Sequence, residues 1–111
     1  MTDFIYFITS DKIGSQDPDL GARLMYTFFL KLVHAVHLPS QILLMERGVL
    51  LLTESLCLDP IKVLEGRDVE ILACQTCLDY YGIKERMGAG KISNMPDIIE
   101  AMQTAGKVIH L

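Results

Sequence analysis

The sequence predicts an α/β fold with a parallel sheet and helices on both of its faces. Segments of strand and helix character alternate along all 111 residues, which is the pattern of a parallel sheet with right-handed crossovers. The runs FIYFI and ILLM are continuously apolar, as expected of strands that helices cover on both sides. The length suits one core, and we expect a single domain over residues 1–111.

The first strand and the first helix have clear boundary signals. Residues 3–9 are aromatic and β-branched and precede a cluster of turn formers, so we predict a buried strand followed by a loop. Asp17 is a candidate helix cap, and Pro18 suits the first helical position, where its missing N–H costs nothing. We expect this helix to run to about Val36.

The remaining elements continue the alternation. In chain order we predict a strand over 41–46, a turn and short helix over 47–55, a helix that begins at Pro60 after the cap Asp59, a strand over 69–74 and a helix from Cys77 to about Met87. Gly82 is a natural break in the last helix. A turn and brief strand in GAGKIS follow, then a helix capped by Asn94 with the acid Asp97 three residues on, and a terminal strand in KVIHL.

The first helix is apolar around most of its circumference. Its polar positions recur at steps of four, four and three, so they form one narrow solvated stripe, namely Arg23, Thr27, Lys31 and His34. The other positions present more apolar surface than one sheet face can cover. We therefore expect part of this helix to meet another subunit, in keeping with a chain that is 50% hydrophobic.

Composition excludes some classes of protein. The net charge of -4 and the absence of a Lys/Arg cluster argue against a nucleic-acid binder. The start, MTDFIYFITSDK, has no basic segment and too short an apolar stretch for a signal peptide or a membrane span. We therefore expect a cytoplasmic protein, in which three cysteines do not form structural disulfides.

The segment ACQTC places two cysteines where the third strand gives way to a helix. Ligands gather at the carboxyl edge of parallel sheets, and there the helix N-terminus would lower the pKa of Cys74 or Cys77. Such a thiol can carry sulfur as a persulfide or form a reversible disulfide. Two alternatives stay open: both cysteines only pack in the core, or they bind zinc with His34 and His37. Cys57 is interpreted as a core residue.

The loop after the first strand opens at the same edge of the sheet. Its backbone N–H groups and the side chain of Lys12, between Asp11 and Gly14, can bind an anion beside the thiol. The alternative is a polar loop that only caps the helix.

Several motifs together resemble the DsrE/DsrF-like family. They are ITSD, LGARLMYTFF, RGVLLLTE, the span VEILACQTCLDYYGIKERMGAGKISNM and the terminal AGKVIHL, which cover nearly the whole chain. The closest likeness is to the C-terminal domain of YedF-type proteins, which are associated with selenium metabolism. Those proteins often have an Asn before an SGV turn, where Glu46 and Arg47 stand here. They also usually carry an N-terminal TusA-like sulfur-carrier domain, which this sequence does not include.

The resemblance implies a three-layer α/β/α domain with a five-stranded parallel sheet that assembles into homotrimers or hexamers. It further implies a sulfur-relay role, with a sulfur-carrier protein as a partner. Counted back from Gly82, Cys74 corresponds to the cysteine that carries the transferred sulfur, and Cys77 is the additional cysteine of the YedF-like branch.

We therefore expect a cytoplasmic sulfurtransferase-like protein in which Cys74 holds a persulfide, or its selenium equivalent, and Cys77 helps to hand it on. No cofactor, metal, membrane or nucleic acid is expected. The alternative is a non-catalytic oligomeric binding module with structural cysteines.

Overall fold

The five predicted strands form one sheet in a computed structural model that describes residues 3–111. The first two residues of the predicted domain lie outside the described part. The strands are β1 (Phe4–Ile8), β2 (Gln41–Leu44), β3 (Glu70–Cys74), β4 (Lys91–Ser93) and β5 (Lys107–His110). Their order across the sheet is β4-β3-β2-β1-β5, and every neighbouring pair is parallel. The predicted strand number and direction are confirmed.

Helices cover both faces of this sheet, which confirms the three-layer α/β/α architecture. They are α1 (Pro18–Leu32), α2 (Leu58–Gly66), α3 (Gln75–Tyr81) and α4 (Met95–Thr104), together with 3₁₀ segments at Glu46–Leu52 and Lys84–Arg86. One face packs against α1 and α2 through buried residues such as Phe29 and Ile61. The other face packs against α4, where Ile98 contacts Ile5 and Leu43. None of the helices among residues 3–111 is long and apolar enough to cross a membrane.

The first helix is shorter than predicted. It ends at Leu32 rather than near Val36, because the backbone tightens there: the N–H groups of His34 and Ala35 each donate to a carbonyl three residues back. The guanidinium of Arg67 donates a hydrogen bond to the carbonyl oxygen of Val33. In a longer helix this oxygen would accept an intrahelical hydrogen bond.

Two later helices begin before their predicted starts. The α2 helix begins at Leu58, so Asp59 lies inside it and Pro60 occupies its third position, where a missing N–H still has no intrahelical partner to lose. The α3 helix begins at Gln75 instead of Cys77. It ends at Tyr81 because the next residue, a glycine, adopts a left-handed conformation with φ of 64°.

The predicted cap of the last helix is confirmed. The side chain of Asn94 accepts a hydrogen bond from the backbone N–H of Asp97 at 2.9 Å and donates one to its carboxylate at 3.2 Å. These bonds fix the start of α4 directly after β4, and so place the helix over the face that carries Ile5 and Leu43.

The surface of α1 agrees with its sequence pattern. The four residues of the predicted polar stripe are all exposed. Three leucines of the same helix, Leu20, Leu24 and Leu30, are exposed as well. The helix is therefore only partly covered by its own sheet.

Candidate functional site

Cys74 lies at the predicted edge of the sheet but points into the core. It is the last residue of β3 and the residue that precedes α3. Its side chain packs on the α4 face with Ile5, Leu43 and Ile98, and only 1% of the residue is exposed. A donor outside the protein therefore has no direct path to this sulfur.

Cys77, three residues on, is the cysteine that reaches the surface. It is half-buried, and it lines an open groove of about 380 Å³ together with Glu46, Thr76, Tyr80 and Tyr81. The backbone N–H of Glu46 donates a hydrogen bond to its Sγ, with an N···S distance of 3.1 Å. The groove thus contains a sulfur atom held by an amide group.

The two cysteines belong to one packed group of side chains. Both are free thiols, and Cys77 packs against the cluster that encloses Cys74. Cys74 is also one of the groups that raise the pKa of the Cys77 thiol. One thiol of the pair therefore faces the core and the other faces the groove.

The expected lowering of the thiol pKa is wrong for Cys77. Burial raises the pKa of this thiol, and the neighbouring Cys74 and the carboxylate of Glu46 raise it further. The hydrogen bond from the Glu46 N–H acts in the opposite direction but does not outweigh burial. At neutral pH most of the thiol is therefore protonated.

The nearby cations do not compensate for this burial. Lys84 pairs with Asp79 at 3.3 Å, and Arg47 pairs with Asp11 at 3.3 Å. The α3 helix has only seven residues, so the dipole on which the sequence argument relied is short. The thiol of Cys77 depends on the Glu46 N–H for stabilisation of its charged form.

We predict that alkylation of Cys77 by iodoacetamide continues to quicken with pH between about pH 7 and about pH 9, without reaching a plateau. The thiolate is the reacting form, and a raised pKa means that its fraction keeps growing throughout this range. The measurement is the rate of modification at Cys77, followed by peptide mass spectrometry. The same peptide in urea-unfolded protein should begin to level off near its ordinary pKa.

The Glu46→Gln variant is the matched control for this profile. It keeps the backbone N–H but removes the carboxylate, so the midpoint of the pH–rate profile should shift to lower pH. The alkylation rate near pH 8 should rise only about twofold, because solvent screens the exposed carboxylate. A plateau of the wild-type rate below pH 8 would contradict the raised pKa.

In the predicted anion loop, the charged side chains interact with other side chains of the protein. Asp11 accepts from the Arg47 guanidinium at 3.3 and 3.4 Å and lies 3.6 Å from the Lys12 ammonium. The Lys12 backbone N–H donates to the Ser10 hydroxyl at 3.0 Å. Gly14 is left-handed, with φ of 82°, and exposed. Asp11 of the loop connects it to Arg47, next to Glu46 of the groove. The cations Lys12 and Arg47 both lie beside the Asp11 carboxylate.

Sequence reasoning missed the residues that build the groove. Glu46 adopts a left-handed φ of 51°, which is unusual for a residue with a side chain, and this conformation directs its N–H to Cys77. The neighbouring Arg47 has a raised pKa because of its hydrogen bond and charge interaction with Asp11, and it also interacts with Tyr81. In the sequence, Glu46 and Arg47 stood out only because YedF-type proteins often have an Asn before this turn.

The third cysteine belongs to the core, as predicted. Cys57 is 5% exposed and immediately precedes α2. Burial raises the pKa of its thiol to about 11, with a smaller contribution from the charge of Asp11. Cys57 therefore remains a neutral thiol at physiological pH and takes no part in the groove.

The candidate zinc ligands do not come together. His34 lines a groove between α1 and α2, whereas His37 lines a cavity beside the start of β1. Within residues 3–111, no three His, Cys, Asp or Glu side chains lie close enough to hold a metal ion. The zinc alternative therefore has no ligand set in this part of the chain.

The fold and the site define a parallel α/β protein with a cysteine pair at the carboxyl edge of its sheet. The thiol of Cys77 lines a groove, and the thiol of Cys74 is buried. The family model described as the DsrE/DsrF-like family matches residues 4–111. The chain belongs to this family, and the predicted resemblance to the DsrE/DsrF-like family is confirmed.

Solved structures show the same fold over the whole chain. The YchN protein from E. coli is 18% identical with a TM-score of 0.69, and the protein MTH1491 from Methanobacterium thermoautotrophicum is 19% identical with a TM-score of 0.69; each pairing covers 100% of both chains. The protein BT1422 from Bacteroides thetaiotaomicron is 16% identical with a TM-score of 0.67, over 98% of this chain and 95% of its own. No curated protein matches this chain significantly.

Proposed function

We propose that this protein is a sulfur-relay protein in which Cys77 receives sulfur from a donor at the groove. The observation that carries the proposal is the position of the Cys77 sulfur, which lines an open groove and accepts the N–H of Glu46 at 3.1 Å. Membership of the DsrE/DsrF-like family, for which the sequence resemblance implies a sulfur-relay role, supports the same chemistry.

The transfer step is a displacement at sulfur. The Cys77 thiolate attacks the outer sulfur of a donor persulfide, the S–S bond of the donor breaks, and the donor thiolate leaves, so that Cys77 carries the sulfur as a persulfide. No external oxidant is needed, because the sulfur arrives already at the oxidation level of the product. The N–H of Glu46 stabilises the attacking thiolate, and this favours reaction despite burial.

This proposal changes the roles that the sequence suggested for the pair. Cys74 was expected to be the carrier, but its sulfur is enclosed by Ile5, Leu43 and Ile98. Sulfur can reach Cys74 only through Cys77, so the outer cysteine is assigned as the acceptor. Selenium in place of sulfur would follow the same path, since the groove is open on its outer side.

We also propose that the protein works as a cytoplasmic homo-oligomer with a sulfur-carrier protein as its donor or acceptor. The exposed leucines Leu20, Leu24 and Leu30 of α1 offer an apolar surface for a second copy. Tyr80, which is 84% exposed beside the groove, offers an aromatic contact for a partner that presents its persulfide to Cys77.

The experiment that tests the proposal is incubation of the reduced protein with a persulfide donor, followed by trapping and peptide mass spectrometry. In the Cys74→Ala variant, in which Cys77 is the remaining cysteine of the pair, the added sulfur should be found on the peptide that contains Cys77, with none on Cys57. Mass added equally to Cys57 and Cys77 of this variant, or to neither, would reject a specific acceptor at the groove.

The alternative is a non-catalytic binding module whose cysteines only pack. The raised pKa of Cys77 and the burial of Cys74 favour it. This function requires that a variant with both cysteines replaced by alanine keeps its assembly state, measured by light scattering, and that the parent protein takes up no sulfur from any donor. Uptake at Cys77 alone would decide in favour of the relay.

A further inference from the structure

The geometry points to a second activity at this site: Cys74 discharges the Cys77 persulfide inside the protein and releases the sulfur as sulfide. This inference rests on the proposed function, because it starts from a persulfide on Cys77. It assigns the inner cysteine a chemical role, whereas burial alone would make it a packing residue.

Access to the Cys74 sulfur is restricted to its neighbour in the fold. Cys74 is 1% exposed and packs with Ile5, Leu43 and Ile98, so no thiol of another molecule can reach it in the folded protein. Cys77 packs against the same cluster from the groove side. The sulfur of Cys77 is therefore the natural electrophile for Cys74.

The limited space in the core determines which sulfur atom Cys74 attacks. Attack on the outer sulfur of the persulfide would move an additional sulfur atom to Cys74, among side chains that are 0% exposed. Tightly packed cores resist added volume. Attack on the inner sulfur, which is the Sγ of Cys77 itself, adds no atom to the core and leaves the outer sulfur on the groove side.

The step balances without another reactant. A bond forms between the sulfur atoms of Cys74 and Cys77, the S–S bond of the persulfide breaks, and the outer sulfur leaves as sulfide with the proton of the Cys74 thiol. The two cysteines are oxidised to a disulfide, and the sulfane sulfur is reduced to sulfide. A dithiol reductant must then reduce the disulfide before the next turnover.

Two measurements on the reduced protein test this activity. With Ellman's reagent, wild-type protein should release two equivalents of thionitrobenzoate per chain and close a disulfide between Cys74 and Cys77, because Cys74 attacks the mixed disulfide on Cys77. The Cys74→Ala variant should release one equivalent and keep the mixed disulfide. Peptide mapping under non-reducing conditions identifies both products.

The second measurement uses a donor that yields no sulfide by itself, such as thiosulfate at mildly alkaline pH, in the absence of added thiol. Wild-type protein should release one sulfide per chain and lose two titratable thiols. The Cys74→Ala variant should hold the sulfur on Cys77 and release at least tenfold less sulfide. Because the wild-type stoichiometry needs no variant, a failure of Cys74→Ala to fold leaves the test intact, and Cys74→Ser repeats the comparison.

The outcomes separate this inference from the proposed function. A persulfide that remains on wild-type Cys77, with no sulfide released and both other thiols intact, overturns the inference and leaves the relay in place. If neither protein takes up sulfur from thiosulfate or from a persulfide donor, the proposed function fails and this activity fails with it.

Discussion

Replacement of Gly48 by alanine is expected to destabilise the protein by about 3 kcal/mol, at the upper end of the usual effect of overpacking. Gly48 lies in the 3₁₀ segment after β2, and a Cβ atom at this position would lie 2.5 Å from the carbonyl oxygen of Ile8 and 3.1 Å from its carbonyl carbon. These are backbone atoms at the end of β1. They cannot give way without distortion of the strand.

The same change should also disturb the groove. The N–H of Gly48 donates to the carbonyl of Met45 at 2.9 Å, and the N–H of Met45 donates to the carbonyl of Ile8 at 3.0 Å. These bonds hold the turn in which Glu46 directs its own N–H to Cys77. Displacement of the turn should therefore remove this hydrogen bond, which favours the Cys77 thiolate, and so slow its alkylation.

Urea-induced unfolding, followed by circular dichroism, measures the effect on stability. Gly66→Ala is the matched control, because a Cβ there meets nothing within 4 Å and Gly66 ends the α2 helix. That variant should be unchanged or stabilised by up to about 1 kcal/mol, since alanine is the better helix former. If the free energy of unfolding of Gly48→Ala stays within about 0.5 kcal/mol of the parent value, the close approach of Gly48 to the Ile8 backbone is contradicted.

The sequence predicts the layers and the sheet well because those properties depend on local patterns. Continuous apolar runs at β1 and β2 predict strands covered on both sides, and Asn94 with Asp97 predicts the start of α4. Errors occur where a distant residue decides the outcome. The end of α1 depends on Arg67, which donates a hydrogen bond to the carbonyl oxygen of Val33 and is 34 positions away in the sequence.

The site illustrates the same limit more strongly. The third strand is apolar at successive positions, so its pattern cannot indicate which face each side chain occupies, and the burial of Cys74 could not be predicted. The hydrogen bond from Glu46 to Cys77 joins residues 31 positions apart and needs a left-handed Glu46, which no propensity favours. The pKa of Cys77 depends on both of these tertiary features, and local helix-dipole reasoning therefore gave the wrong direction.

A protein that retains Cys74 as its only thiol is expected to take up sulfur at least about a hundredfold more slowly than one that retains only Cys77. The first is the Cys57→Ala/Cys77→Ala variant and the second is Cys57→Ala/Cys74→Ala. Cys74 can react with an external donor only when the structure opens locally, and the free energy of that opening reduces its rate. Cys77 already lines the groove.

The comparison is made by single-turnover uptake of labelled sulfur from a persulfide donor, with thermal unfolding curves to establish that both variants are folded. The loss of Cys57 is common to both proteins, so its cost to stability cancels. Equal rates in the native state would show that donors do reach Cys74, and would return the acceptor role to the cysteine that the sequence first suggested. A large difference, abolished when both proteins are unfolded in urea, would establish that the folded structure separates the two thiols, because their chemistry in the unfolded chain is the same.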